Sequence, residues 1–323
     1  MISITQAGLK AGHASDPDAI TGCTVLLFDK PALGAIDLRG GGTSTRQIDP
    51  LLSHSTFGKI HGLLLTGGSA FGLDAAGGVM RYLEERHIGL DVGYGLVVPS
   101  VPTAVIFDIG IGKNIRPDAE MGYRACLNAS HDGVEEGSVG AGTGATIGKL
   151  LGLRHATKGG LGTAAYRFDN GVIIGVIAVV NAFGDVVSRQ NGRIIAGVRK
   201  TPESAEFTGT VNLFKEGVRF RAGGGQNTTL AVVAVNARFS KSELGRIASI
   251  AQTGLSRVIS PAHTVADGDV VIAVSCGEME GDANVSGIVA AELVEESILR
   301  AVSLSKGMGG VPSAGDLNGK EAT

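Results

Sequence analysis

Tryptophan is absent from the 323-residue chain, and cysteine occurs three times, at Cys23, Cys126 and Cys276. There is no CxxC pair and no Cys/His cluster, so neither a disulfide framework nor a structural zinc is expected. The seven histidines are scattered; His263 stands near two aspartates, but no second His or Cys completes a ligand set. The expectation is therefore no metal and no cofactor. Charge of one sign is also lacking. The net charge is −3 with acidic and basic residues mixed, which offers nothing to nucleic acid or an anionic membrane. The first residues, Met1-Ile2-Ser3-Ile4-Thr5-Gln6, have no basic stretch followed by an apolar one, as a signal peptide would. The longest apolar run, Val172 to Val180, is too short for a bilayer and contains Gly175. The reading is a soluble cytoplasmic protein.

What is abundant is glycine, 51 residues without a collagen period, which implies tight turns and close backbone approaches. With 43% hydrophobic residues, the chain can build a sizeable core as one large α/β domain or two smaller ones. Thr24–Phe28 and Gly34–Leu38 read as two short strands around a Lys30-Pro31 turn. Ile60–Leu65 reads as a strand, followed by Thr66-Gly67-Gly68-Ser69 and a helix to about Arg86 with Leu73, Ala76, Met80 and Leu83 on one face. Thr103–Ile109 is a further strand and Pro117–Ala129 a short helix. Gly159–Ala164 and Val172–Ala182 suggest antiparallel sheet, and residues 197–226 a long loop. Ser240-Lys241-Ser242-Glu243 is a capping box opening a helix. A strand at Val270–Ser275 precedes a last helix over roughly Asn284–Leu304, and 305–323 read as a disordered tail.

Two Gly-rich junctions invite a nucleotide. At Gly67-Gly68-Ser69 the free amides of a strand–helix turn suit an anion, although tight packing explains the glycines equally well. At Gly140–Lys149 the phosphate-loop pattern fails twice, because Thr143 stands where Gly is needed and Leu150 where Ser or Thr is needed. The better reading there is a turn into a helix that buries Lys149, and a buried lysine needs a partner or a purpose.

The chemistry concentrates at Gly223-Gly224-Gly225-Gln226-Asn227-Thr228-Thr229, where a flexible polar segment becomes the β-branched apolar run Leu230–Ala237. A hydroxyl at such a junction can attack the carbonyl before it. If the Asn227–Thr228 bond breaks, Thr228 carries a free α-amine, with an ordinary pKa near ~8, beside its own hydroxyl, which solves the weak nucleophilicity of an alcohol. Asp267 and Asp269 could hold or shuttle that proton, Lys149 could ease a developing alkoxide, and Asn181, at a strand end, could donate to a tetrahedral oxyanion. Each also has an ordinary explanation: a surface Asp-Gly-Asp turn, a snorkelling lysine, an Asn closing a strand.

Taken together, Gly12-His13, Gly22-Cys23-Thr24-Val25, Arg39-Gly40-Gly41, Leu65–Leu73, Gly140–Gly144, Asn227-Thr228-Thr229-Leu230 and Asp267-Gly268-Asp269 resemble the DmpA-type L-aminopeptidase/D-esterase family. That family includes β-peptidyl aminopeptidases and the 6-aminohexanoate-oligomer hydrolase; the resemblance runs from near residue 7 to about 304. It implies a four-layer αββα sandwich over 1–304, self-cleaved into an α chain 1–227 and a β chain 228–323. It further implies Thr228 as nucleophile, Asp267 and Asp269 as the acidic pair, Lys149 as activating lysine and Asn181 as the oxyanion or positioning amide. Phe107 stands where some members have Tyr, so a phenol contact to substrate is lost and peptide specificity does not transfer. The implied enzyme hydrolyses small amides, esters or short peptides through an acyl-Thr228 ester and forms homo-oligomers, tetramers or larger. Two alternatives stay open: an acyltransferase like ornithine acetyltransferase, similar in fold and in its N-terminal Thr, and a non-catalytic binder using the Gly-rich loops.

Overall fold

Alternation along the central strands sorts the apolar side chains into three layers. The structure, a computed structural model, describes residues 2–56, 58–219 and 227–318. Its main strands are β1 (Leu9–Asp16), β2 (Thr21–Leu38), β3 (Thr45–Arg46), β4 (Lys59–Thr66), β5 (Thr103–Val105), β6 (Gly160–Arg167), β7 (Ile173–Asn181), β8 (Thr228–Ala237) and β9 (Val270–Met279). They are hydrogen-bonded in the order β6-β7-β8-β9-β2-β4-β5-β3, with β1 added on β2. The helices are α1 (Ala75–Glu84), α2 (Ala119–Leu127), α3 (Thr210–Lys215), α4 (Lys241–Val258), α5 (Ala283–Ser303) and α6 (Ala314–Asn318).

On β8, Ala231, Val233 and Val235 pack under α4 and α5, while Leu230, Val232 and Ala234 face the opposite layer. On β9, Val271 and Ala273 divide in the same way from Val270, Ile272 and Val274. The middle layer also takes Leu26 and Phe28 of β2 and Leu63 and Leu65 of β4; their neighbours Val25, Leu27 and Leu64 pack under α1 and α2. Strands buried on both faces read as continuous apolar runs, as β8 does. The resulting order, helices, sheet, sheet, helices, is the αββα sandwich.

The two sheets are continuous because β2 is one long strand, not two short ones. Leu33–Leu38 pair with β9 and Cys23–Leu27 with β4. Lys30-Pro31 sits where the register shifts between Leu27 and Ala32, so the proline without an N–H makes a bulge instead of a turn.

Close helix contact depends on glycine. A Cβ on Gly78 of α1 would lie 1.7 Å from the Ala119 carbonyl oxygen, and one on Gly122 of α2 would lie 2.0 Å from that of Ala75. Gly78→Val should lower the thermal midpoint by roughly 5 °C, the effect of an overpacked contact in a chain of this size. An unchanged midpoint in calorimetry would mean that α1 and α2 separate without cost.

Three further expectations change. Lys149 does not sit in a helix: Gly140–Gly142 form a single 3₁₀ turn and Thr146–Ile147 a short strand paired with Thr157–Lys158. Gly148 at φ +72° turns the chain there. The long loop at 197–226 contains α3, and its residues 220–226, including the Gly223–Gly225 run, lie outside the described residues. Residues 305–318 are packed, not a free tail. Lys158 N donates to the Pro312 carbonyl at 2.8 Å, Ser313 and Asp316 bond one another at the start of α6, and Val311 and Leu317 are buried. Gly309 and Gly310 serve a turn at positive φ.

Candidate active site

Thr228 is the first residue of β8, a central strand between antiparallel β7 and parallel β9, and the pairing sets Asn181 opposite it. Thr228 and Asn227 are buried, each 4% exposed. The Thr228 hydroxyl donates to the Asn227 carbonyl oxygen at 2.5 Å, and Gly268 N–H donates to the same oxygen at 2.8 Å. A Cβ on Gly268 would lie 3.0 Å from Thr228 Oγ1, so the Asp267-Gly268-Asp269 backbone crosses directly over the hydroxyl.

Asp267 and Asp269 precede β9 and are each 1% exposed, not a surface turn. Asp269 Oδ1 accepts from Thr229 N at 2.8 Å, reaching the residue after Thr228 through its backbone. Its Oδ2 accepts from both the backbone N and Nδ1 of His263, each at 3.0 Å. Asp267 Oδ1 accepts from Phe183 N at 3.2 Å, and its Oδ2 from Thr264 N and Oγ1 at 3.1 and 2.6 Å. Burial, and then the charge of Asp269, push the Asp267 carboxyl up to about 6.

Lys149 as a whole is only partly buried, but its ammonium is withdrawn from solvent. Its Nζ donates to Thr146 O and Asn181 O at 3.0 Å and to Asn181 Oδ1 at 2.7 Å. Three acceptors match the three N–H of an ammonium. Desolvation pulls Lys149 down to about 7, opposed mainly by the negative charge of Asp267. Thr146 N also donates to Asn181 Oδ1, and Asn181 Nδ2 donates to the Phe107 carbonyl, which fixes the orientation of the amide. Beside Lys149 lies a cavity of about 220 Å³, lined by Phe107, Ile109, Ile111, Thr146 and Leu153 among others. The phenyl ring of Phe107 offers no hydroxyl there. All five residues singled out from the sequence therefore gather at the start of β8.

Sequence reasoning overlooked Lys158, Asp108 and Thr264, and weighed His263 only as an incomplete metal ligand. Lys158 is fully buried, its Nζ donating to Thr143 O and Ala145 O at 2.8 and 2.7 Å, which ties down the loop carrying Thr146. Burial lowers it to about 7. Asp108 accepts from Gly68 N at 2.7 Å and from Thr21 Oγ1 at 2.6 Å. The anion held at the Gly67–Ser69 junction is thus the protein's own carboxylate, which leaves a nucleotide phosphate no claim on that amide. The available signal was the polar Lys158 at the head of an apolar, Gly-rich strand. The thiols are poor nucleophile candidates: burial pushes Cys23 and Cys276 well up and Cys126 to about 12.

The profile of Peptidase family S58 matches residues 3–314. An uncharacterized aminopeptidase of Mycobacterium leprae is 38% identical, covering 97% of this chain and 93% of that protein. A 6-aminohexanoate-oligomer endohydrolase of a Kocuria species is 29% identical over 91% of this chain and 84% of its own length. Among solved structures, the L-aminopeptidase D-Ala-esterase/amidase of Ochrobactrum anthropi, a variant of the Ntn-hydrolase fold, superposes with a TM-score of 0.73 at 19% identity, covering 99% of this chain and 92% of that one. The fold here is that variant.

Proposed function

We propose that this chain, which belongs to Peptidase family S58 and hydrolyses peptide or amide bonds, cuts itself between Asn227 and Thr228 and then uses Thr228 as its nucleophile. The observation that carries this reading is the Thr228 hydroxyl held 2.5 Å from the oxygen of the carbonyl it would attack. Gly268 N–H already points at that oxygen, where negative charge would develop. In the first step Oγ1 bonds to the Asn227 carbonyl carbon and its proton leaves toward the acidic pair. The C–N bond then breaks, the nitrogen takes a proton, and an Asn227–Thr228 ester remains. Water opens the ester, giving the Asn227 carboxylate and a Thr228 with free hydroxyl and amine.

Turnover repeats this chemistry on an incoming carbonyl. The α-amine accepts the hydroxyl proton and passes it to the leaving amine, and the acyl-Thr228 ester is hydrolysed. Lys149, as a cation, lowers the cost of the alkoxide, and Asn181 holds Lys149 and faces Thr228 across the strand pair. The cavity beside Lys149 supports a small amide, ester or short peptide as substrate. Self-association is supported by the hairpin of Leu90–Asp91 and Val97–Val98, which exposes Leu90, Val92, Leu96, Val98 and a 98% exposed Tyr94.

Denaturing mass spectrometry tests the reading. Two fragments meeting at Asn227/Thr228 are expected from the wild type and one full-length, inactive chain from Thr228→Ala. An active wild type that stays in one piece overturns it. Trapping the acyl enzyme and offering it an amine or water separates hydrolysis from acyl transfer.

A further inference from the structure

Two carboxylates with a single residue between them, both almost fully buried, repel one another unless something holds them. The residues that do so are consecutive. His263 gives its backbone N–H and its ring Nδ1–H to one oxygen of Asp269; Thr264 gives its backbone N–H and its hydroxyl to one oxygen of Asp267. In each carboxylate the second oxygen faces away from the clamp, to Thr229 N of β8 or to Phe183 N in the bend after β7. We propose that His263–Thr264 is a clamp of positioning residues that sets both carboxylates for the chemistry of Thr228, His263 through Asp269 and Thr264 through Asp267. The proposal rests on the reading of Thr228 given above.

The backbone is consistent with this role. His263 sits at φ +58°, a left-handed conformation that is costly for a residue with a Cβ and that persists where surrounding contacts impose it. The clamp loop is strapped to the end of β2: Gly41 N donates to Thr264 O at 3.3 Å, Gly42 N to Asp267 O at 2.7 Å and Arg39 N to Asp269 O at 3.0 Å. A Cβ on Gly40 would lie 2.2 Å from Asp267 O, so the strap is in tight contact. Both Asp269 oxygens already accept backbone N–H groups, which places the ring proton of His263 on Nδ1. The ring of His263 bonds to Asp269, and the Thr264 hydroxyl bonds to Asp267 and to the Ala266 N–H of the same loop, so their influence on Thr228 passes through Asp269 and Asp267.

The test uses the full-length chain and four variants: His263→Ala, His263→Asn, Thr264→Val and Thr264→Ser. Self-cleavage is followed by intact mass, and the cut enzymes are then assayed for kcat and KM on an amide substrate. His263→Ala and Thr264→Val should slow self-cleavage and lower kcat by about 10–100-fold with KM nearly unchanged, the scale of a misplaced reacting group. Asparagine tolerates the left-handed conformation and keeps a side-chain N–H near the Nδ1 position, and serine keeps the hydroxyl. Both conservative variants should recover most of the lost rate. The clamp is overturned if His263→Ala and Thr264→Val process and turn over like the wild type, if the conservative variants are as slow as the deletions, or if the loss falls on KM alone. Should His263→Ala fail to fold, the isosteric Thr264→Val and its serine partner decide alone. A wild type that never cuts sinks the Thr228 reading; a wild type that cuts beside indifferent clamp variants sinks only the clamp.

Discussion

Asp269→Asn is expected to keep the chain almost entirely in one piece, with self-cleavage slowed by about 10²–10⁴-fold, the range lost when a general base is removed. The carboxylate accepts three N–H groups, one from Thr229 and two from His263. An asparagine side chain has one acceptor oxygen, so its NH₂ must face either the Thr229 or the His263 donors. A buried donor against a donor costs about 1–3 kcal/mol in place of a bond gained. The variant thus loses one negative charge of the pair toward which the Thr228 proton would leave, and the geometry that aims it. A time course of intact mass at constant pH reads the effect. Normal processing of Asp269→Asn would remove the residue from the reaction.

The second large effect is on pH dependence, best read in self-cleavage because the uncut chain has no α-amine at Thr228. The Asp267 carboxyl is raised to about 6, so its proton-accepting form is present above that pH and is lost as pH falls through it. Lys149 is lowered to about 7, so its cation is present below that pH and is lost as pH rises through it. The rate should therefore pass through a maximum between about 6 and 7. Lys149→Met should lower the whole profile by about 10²–10³-fold, as losing a group that stabilises developing negative charge does. It should also abolish the alkaline limb while leaving the acid limb in place. A wild-type rate that climbs straight through pH 7 would instead make the neutral amine of Lys149 the working form.

Elements whose local signals agree with their burial were legible in the sequence. The β-branched run after Thr228 became a doubly buried strand, and the Ser240/Glu243 box opens α4 with both of its reciprocal bonds. Legibility failed where distant chain segments decide. Lys30-Pro31 carries turn chemistry, yet pairing with β4 and β9 on either side keeps β2 unbroken. Lys149 and Lys158 cannot be ranked by burial from composition, because Lys158 is enclosed by its acceptors at Thr143 and Ala145 and by the distant Pro312, whose carbonyl takes its backbone N–H. His263 stood out only as an incomplete metal ligand; its bonds to Asp269 require a loop folded back on itself. The five candidate residues could be singled out in the sequence mainly as a set. Asn181 and Thr228 lie 47 positions apart in sequence and meet only through the β7–β8 register.

The strand order has a consequence for the life of the molecule. β8 and β9 are wedged between β7 and β2, so a chain opened at Asn227–Thr228 would keep its C-terminal piece locked inside the larger one, with α4 and α5 closing over it. Such an assembly can be woven only by the continuous polypeptide. Heat should accordingly destroy the nicked form as a one-way event, while the intact Thr228→Ala precursor should recover on cooling.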